Sequence, residues 1–470
     1  MADERAAPPE DASAPTPEDA SATLLTKGFL VLLVIAAFVG IVVSLAAWCF
    51  VELIYQMQRE LYHHLPSALG YHNGPPLWWS LPILAIAGVI TALAITRLPG
   101  GGGHIPAEGL KVGGGLTQPG ELPGIVLAGL ASIGLGLVIG PEAPLIALGA
   151  GLAVAIVKLA RRQAPSQLLL VVGAAGSFAA LSFVFSSPII AAVILIEATG
   201  LGRSRLPIVL IPGLVGAGIG ALVSLGMGSF TGLSSSAYAL GPLPLPAFHH
   251  PTAGNFAWTI ALGIVIAVVA HLIRMGGLRT QRLVKPRPLL LLPIVGLVVG
   301  GLAIAFAQIS GKGVNEVLFS GQDALPGLVS GAGTWSLSAL ALLIAFKGLG
   351  YSISLGSFRG GPTFPAIFLG AAGGIMASHL PGFPVTAAVA VGIGAGTVAI
   401  LRLPLSAVVI ATLLTAKTGA GAEPLTIIGV VVAYLVTLWL SALQAGKSAS
   451  TPAPDVATGG TGVPAPVAAE

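Results

Sequence analysis

Charge is scarce in this sequence: 21 Lys and Arg and 17 Asp and Glu among 470 residues, 8% in all. A soluble domain carries roughly 25%, so this chain cannot clothe a water-facing surface. Cysteine is nearly absent as well. Cys49 stands alone in an apolar run, which excludes a disulfide framework and a cysteine metal site. There is no basic stripe interleaved with aromatics, so nucleic acid is not an expected partner. The eight histidines form no HExxH or related ligand spacing and suggest no triad, and His63, His64, His249 and His250 fall in expected loops. An enzyme is not indicated, and no cofactor or metal is called for.

What the chain does have is apolar surface. Hydrophobic residues make up 55% of it and the mean hydropathy is +0.95. A bilayer core of about 30 Å needs ~20 apolar residues in a helix. Segments 28–55, 77–96, 207–226, 256–273, 288–308, 335–350 and 424–444 meet that length. Others are short or broken by Gly and Pro: 105–116, 123–139, 144–160, 168–181, 188–199, 362–378, 385–400 and 404–416. Many of the 65 glycines and 36 prolines fall in and around them. Some glycines simply let helices pack closely. The whole pattern asks for more, because a break in lipid is tolerated only where the chain lines a cavity or packs on protein. Many transporters build ion sites from such broken helices near the midplane.

The expectation is an all-α, multi-pass membrane domain over 25–445. Eight of the 17 acids lie outside most of it, at Asp3, Glu4, Glu10, Asp11, Glu18, Asp19, Asp455 and Glu470. Segments 1–24 and 446–470 have the composition of disordered tails. The first lacks the basic n-region of a secretory signal, and a bacterial plasma membrane is the expected location. Lys158, Arg161 and Arg162 form one basic cluster; Arg274, Arg279, Arg282, Lys285 and Arg287 form another. Both are expected on the cytoplasmic side.

An internal repeat then emerges. Residues 140–150 read GPEAPLIALGA and 361–371 read GPTFPAIFLGA, identical at seven of eleven positions. A fainter echo pairs PIIAAVI at 188–194 with PLSAVVI at 404–410. Two halves, about 28–226 and 253–444, follow; the letters alone leave parallel and inverted arrangements open.

Proline suits a first helical turn, where its missing N–H costs nothing. Gly140-Pro141-Glu142-Ala143-Pro144 and Gly361-Pro362-Thr363-Phe364-Pro365 therefore read as two matching helix starts. Each start carries about half a positive charge and unpaired amides. Two aimed at one point make an anion site without lysine or arginine, and a full cation there would slow passage. Glu142 sits among these donors. Ionised, its carboxylate competes with an anion; protonated or swung aside, it admits one. An acid that merely offsets the helix dipole is the bland alternative, and it is disfavoured because ionisable groups inside membranes are usually functional.

These motifs resemble the chloride channel (CLC) family. GPEAP is similar to that family's gating-glutamate motif GREGP, GPTFP to its GxFxP, and Gly102-Gly103-His104-Ile105-Pro106 to its GSGIP. The likeness runs over about 30–440. It implies an inverted repeat of tilted and broken helices, one anion pore per subunit and a homodimer. The implied site is Glu142 as gate, with Gly103, His104, Ile105, Pro141, Ala143, Gly361, Thr363 and Phe364 around the anion. Chloride is the implied substrate, and lipid and small anions are the implied partners.

Departures qualify the likeness. Gly103 replaces the family's central serine, His104 replaces a glycine, and Thr363 stands where GxFxP has phenylalanine. The inner proton acid of family antiporters aligns with Ala198, beside Glu197, which is a proton-pathway candidate or else a helix cap or partner of Arg203 or Arg205. The family's pore-closing tyrosine has no counterpart after Leu443, and Tyr434 lies within a span. Losing serine, tyrosine and inner acid favours a gated chloride channel. A chloride/proton antiporter on the same fold is the alternative, followed by a secondary transporter of another solute, for which the spans offer few polar side chains. A non-transporting scaffold leaves the duplicated helix starts unexplained.

Overall fold

The computed structural model describes residue 24 and residues 26–110, 117–200, 206–231 and 240–449. Most of the expected tails, together with Arg203 and Arg205, lies outside the described residues. The first half holds α1 (Lys27–Arg59), α2 (Ser80–Arg97), α3 (Leu122–Gly129), α4 (Glu142–Ala160), α5 (Ser166–Phe185), α6 (Pro188–Thr199) and α7 (Leu206–Thr231). The second holds α8 (Ala253–Val284), α9 (Pro288–Ser310), α10 (Leu325–Ser330), α11 (Leu337–Ser357), α12 (Thr363–Ala377), α13 (Val385–Leu401), α14 (Pro404–Leu414) and α15 (Glu423–Ala449). The last helix runs past the tail boundary expected at 446.

Local chemistry explains the ends of these helices. Thr26 accepts the amide of Phe29 at 3.2 Å, and Thr252 and Asn255 form a reciprocal capping box before α8. Pro188, Pro288 and Pro404 each open a helix, where proline fits best. Gly200 and Gly311 close α6 and α9 with left-handed backbone.

Nine helices among the described residues are long and apolar enough to cross a membrane. Seven match the expected long segments. The other two, α4 and α5, were expected to be too short, yet they run 19 and 20 residues. Their glycines face each other and so do not break them. A side chain at Gly149 would strike the carbonyl of Gly176, and one at Gly176 the carbonyl of Gly149. Gly370 and Gly392 stand in the same relation between α12 and α13. Gly149 and Gly370 are equivalent in the repeat, so the duplication extends to how neighbouring helices pack. The expected segment 105–116 is not a helix where described: Pro106–Glu108 forms a single 3-10 turn, and 111–116 lie outside the described residues.

One cation is buried with these helices. Lys347 of α11 is fully buried, and its ammonium donates to the carbonyls of Glu316, Val317, Leu318 and Phe319 at 2.8–3.3 Å. It also lies 4.6 Å from the Phe368 ring centroid. Four carbonyls at the end of the 3-10 turn Val314–Glu316 and in the loop after it thus gain donors that the membrane interior cannot supply.

Gly392→Ala places a methyl group against the Gly370 carbonyl and should destabilise the protein by about 1–3 kcal/mol, as overpacking does. Gly301→Ala on α9, with open space around it, is the control. Thermal melting in detergent should separate the two variants. Lys347→Met leaves the loop carbonyls without their donor and should cost at least about 1–3 kcal/mol in the same assay.

Candidate functional site

Before each GP motif the chain crosses the interior without helix, at 135–141 and at 358–362, and every residue of both crossings is buried. Their backbone groups need protein partners, and each half supplies them to the other. Gly140 and Gly361 exchange both amide-to-carbonyl bonds, at 2.8 and 2.6 Å, in an antiparallel bridge. The Ser354 hydroxyl accepts the Val138 amide at 3.4 Å, and the Ser132 hydroxyl accepts the Arg359 amide at 3.2 Å. Val138 and Arg359 each lie two residues ahead of a bridging glycine. Such reciprocity is a local two-fold, and the cap angles agree with it: Pro141 at φ −86°, ψ −9° and Pro362 at φ −88°, ψ −9°. The halves are inverted, and α4 and α12 begin face to face.

Glu142 fills the space between these starts. It is 0% exposed, and its Oε1 accepts the backbone N–H of Thr363, the first residue of the opposite helix. Among the described residues, Oε2 and the Thr363 hydroxyl have no hydrogen-bond partner. Gly140 and Gly361 make the arrangement possible, since a Cβ at either would collide with the carboxylate. Phe364 stacks on Phe185 with centroids 5.2 Å apart and closes the seat on one side. The Tyr351 hydroxyl of α11 donates to the Pro362 carbonyl at 2.5 Å. The structure therefore brings together Pro141, Glu142, Ala143, Gly361, Thr363 and Phe364.

Gly103 and His104 lie on one side of that seat. They line a cavity of about 320 Å³ with Ala143, Ser177, Arg359, Gly360 and others. Ile105 packs against the apolar core instead. His104 Nε2 is 2.5 Å from the Gly109 carbonyl, so this ring nitrogen is a donor and the side chain is tied into its loop. Gly100 to Gly103 all have positive φ, from 55° to 93°, a run that only glycine adopts readily. The cavity sits on the face where α2 ends. Lys158 bonds to Gln118 and Gln281 to Glu108, both at 2.9 Å, which brings the two basic clusters to that same face. It is the cytoplasmic face by the positive-inside rule. A second cavity of about 580 Å³, lined by Arg59, His63, His64, Asn315 and Asp323 among others, lies where α1 ends, on the opposite face.

Glu197 is engaged elsewhere. Its oxygens accept from the Leu405 amide at 2.9 Å and from the Ser406 amide and hydroxyl at 2.8 and 2.6 Å, which caps the start of α14. Of the roles open to it, the cap is the one these bonds describe; Arg203 and Arg205 lie outside the described residues.

Sequence reasoning missed Arg359, Tyr351 and Lys347. The signal for Arg359 was present: it is the one Asp, Glu, Lys or Arg between 348 and 401. Arg359 is 7% exposed, with Nε donating to Gly101 at 3.2 Å and one Nη to Phe358 at 3.3 Å.

Two inverted halves, each giving a broken helix whose start faces the other across a buried acid, define a membrane transport fold. The chain belongs to the voltage gated chloride channel family, whose model matches residues 99–438. Among curated proteins it is 29% identical over 360 residues to the "Putative ion-transport protein YfeO" of Escherichia coli O139:H28 (strain E24377A / ETEC), covering 74% of this chain and 79% of that one. The same protein in Shigella boydii serotype 4 (strain Sb227) matches equally. The fold is similar to a slow cyanobacterial Cl-/H+ antiporter, with TM-score 0.69, 20% identity, and 89% and 98% of the two chains covered. It is also similar to a CLC-type fluoride/proton antiporter, with TM-score 0.59, 16% identity, and 87% and 95% covered.

Gly103→Ser would restore the family's hydroxyl at a residue with φ +93°, and strain of about 1–3 kcal/mol should follow. Thermal melting should show a loss, and serine should not act here as a free addition.

Proposed function

We propose that this protein carries chloride and similar small anions across the cell membrane, and that Glu142 gates their path. The single observation behind this reading is the bond from the Glu142 carboxylate to the Thr363 amide. An anionic group already occupies the point where two helix starts converge, so the seat accepts negative charge without a full cation. An arriving anion competes with a tethered carboxylate for the same donors. Protonation removes the carboxylate's charge and weakens its hold. The inner cavity reaches the seat's edge at Ala143 and Gly360 and gives an anion an approach from that side.

Passive conduction is the preferred mode. Gly103 offers no side chain to form an inner constriction, Ala198 stands where an inner proton acid is expected, and Glu197 is held as a cap on α14. Proton-coupled exchange is the second reading, favoured by the two antiporters whose fold this chain shares. Subunits are proposed to pair as a homodimer. Leu214 and Leu222 on α7 and Val431 and Trp439 on α15 give these helices exposed apolar faces suited to lipid or to a second copy.

Purified protein in liposomes should pass chloride down its gradient faster as pH falls. Glu142→Gln should raise flux about tenfold, for the ~1.4 kcal/mol of one lost charge-assisted bond, and flatten the pH response. A variant that keeps the wild-type pH response would remove Glu142 from the gate. Simultaneous proton recording decides the mode: uphill proton movement driven by a chloride gradient would refute conduction and establish exchange.

A further inference from the structure

The repeat makes Arg359 conspicuous. Its equivalent in the first half is Val138, which is fully buried and apolar. Both positions serve the two-fold in the same way, through a backbone amide given to a serine of the other half. That duty needs no particular side chain, so the crossing itself does not explain a cation. Burying one is costly unless something compensates it, and compensation within the protein is partial. The Nε and one Nη donate to carbonyls, Nη2 makes no hydrogen bond among the described residues, and no carboxylate lies within ion-pair distance there. The little surface that Arg359 keeps belongs to the inner cavity it lines with Gly103, His104 and Ala143.

Two carboxylates, Glu108 and the cavity-lining Glu121, act on it without an ion pair to Arg359 among the described residues, so they offset its charge only in part. Glu121 accepts the Gln118 amide at 3.2 Å in a capping box at the cavity wall. His104 is tied to Gly109, and the Ser177 hydroxyl donates to Ile146 at 3.1 Å. Thr117 adds a neutral hydroxyl. Gly103 has no side chain, and the arginine stem lies against Gly102, where an added Cβ would be 3.4 Å from Arg359 Cγ. One residue along the glycine loop from the missing hydroxyl, the wall is guanidinium.

We propose that Arg359 forms a binding site for a small monovalent anion in the cytoplasmic-side cavity, in series with the Glu142 seat. The site supplies by a charged side chain what Gly103 cannot, and it concentrates anions on the inner side of the gate. Guanidinium is weakly hydrated and always charged, which suits it to hold a monovalent ion in a partly dry cavity. This proposal rests on the transport reading for its purpose but not for its measurement.

The test is bromide binding by the full-length protein in detergent, read by isothermal titration and by anomalous diffraction from bromide-soaked crystals. Bromide should appear against the Arg359 guanidinium in the wild-type cavity. Arg359→Gln should lose that peak and weaken the corresponding affinity by about tenfold or more, the worth of one charge-assisted hydrogen bond. Arg359→Lys, which keeps charge without the fork, should retain binding with reduced affinity. A wild-type cavity without bromide at Arg359, or a folded Gln variant that binds as well as wild type, overturns the proposal. If the Gln variant does not fold, the wild-type density decides alone. Wild-type protein that binds bromide at Arg359 yet passes no anion in liposomes would sink the transport reading while this site stands.

Discussion

The structure turns on one exchange of backbone hydrogen bonds, between Gly140 and Gly361. Two helices must begin in the middle of an apolar slab, and helix starts are polar objects. Neither crossing can satisfy itself, so each half completes the other through the glycine bridge and the paired serines at 132 and 354. Nearby requirements follow from that bridge. Both bridging residues must be glycine, because Glu142 lies where a Cβ would go, and both helices must start immediately afterwards.

Placing an acid at this point gives the site its character. A carboxylate among converging amides is well held when charged, and losing its charge releases it. On the proposed gating role, the site would answer to protons through Glu142 itself. Among the described residues, Glu142 and Thr363 also keep one buried, unpaired oxygen each. Buried polar atoms without partners are uncommon in native proteins, and these two lie at the proposed anion seat.

The two halves agree in backbone and differ in chemistry. Pro141 and Pro362 share their angles to within a few degrees, while Glu142 faces Thr363 and Val138 faces Arg359 across the same two-fold. Duplication supplied a symmetric frame, and substitution made it directional. The acid of the first half reaches into the second, and the cation of the second half looks into the inner cavity alone.

Much was legible in the letters because composition and repetition are properties of the sequence itself. Low charge put the chain in lipid, the long apolar runs marked seven spans, and GPEAP against GPTFP located the seat and its acid. Three things needed tertiary structure. α4 and α5 reached spanning length because Gly149 and Gly176 face one another, and no single-helix pattern records a partner. Arg359 stood out as a lone charge in an apolar stretch, but only folding laid it beside a glycine loop more than 250 residues away. Whether the halves were parallel or inverted was decided by the reciprocal bridge, since hydrogen bonds between distant segments leave no trace in local sequence.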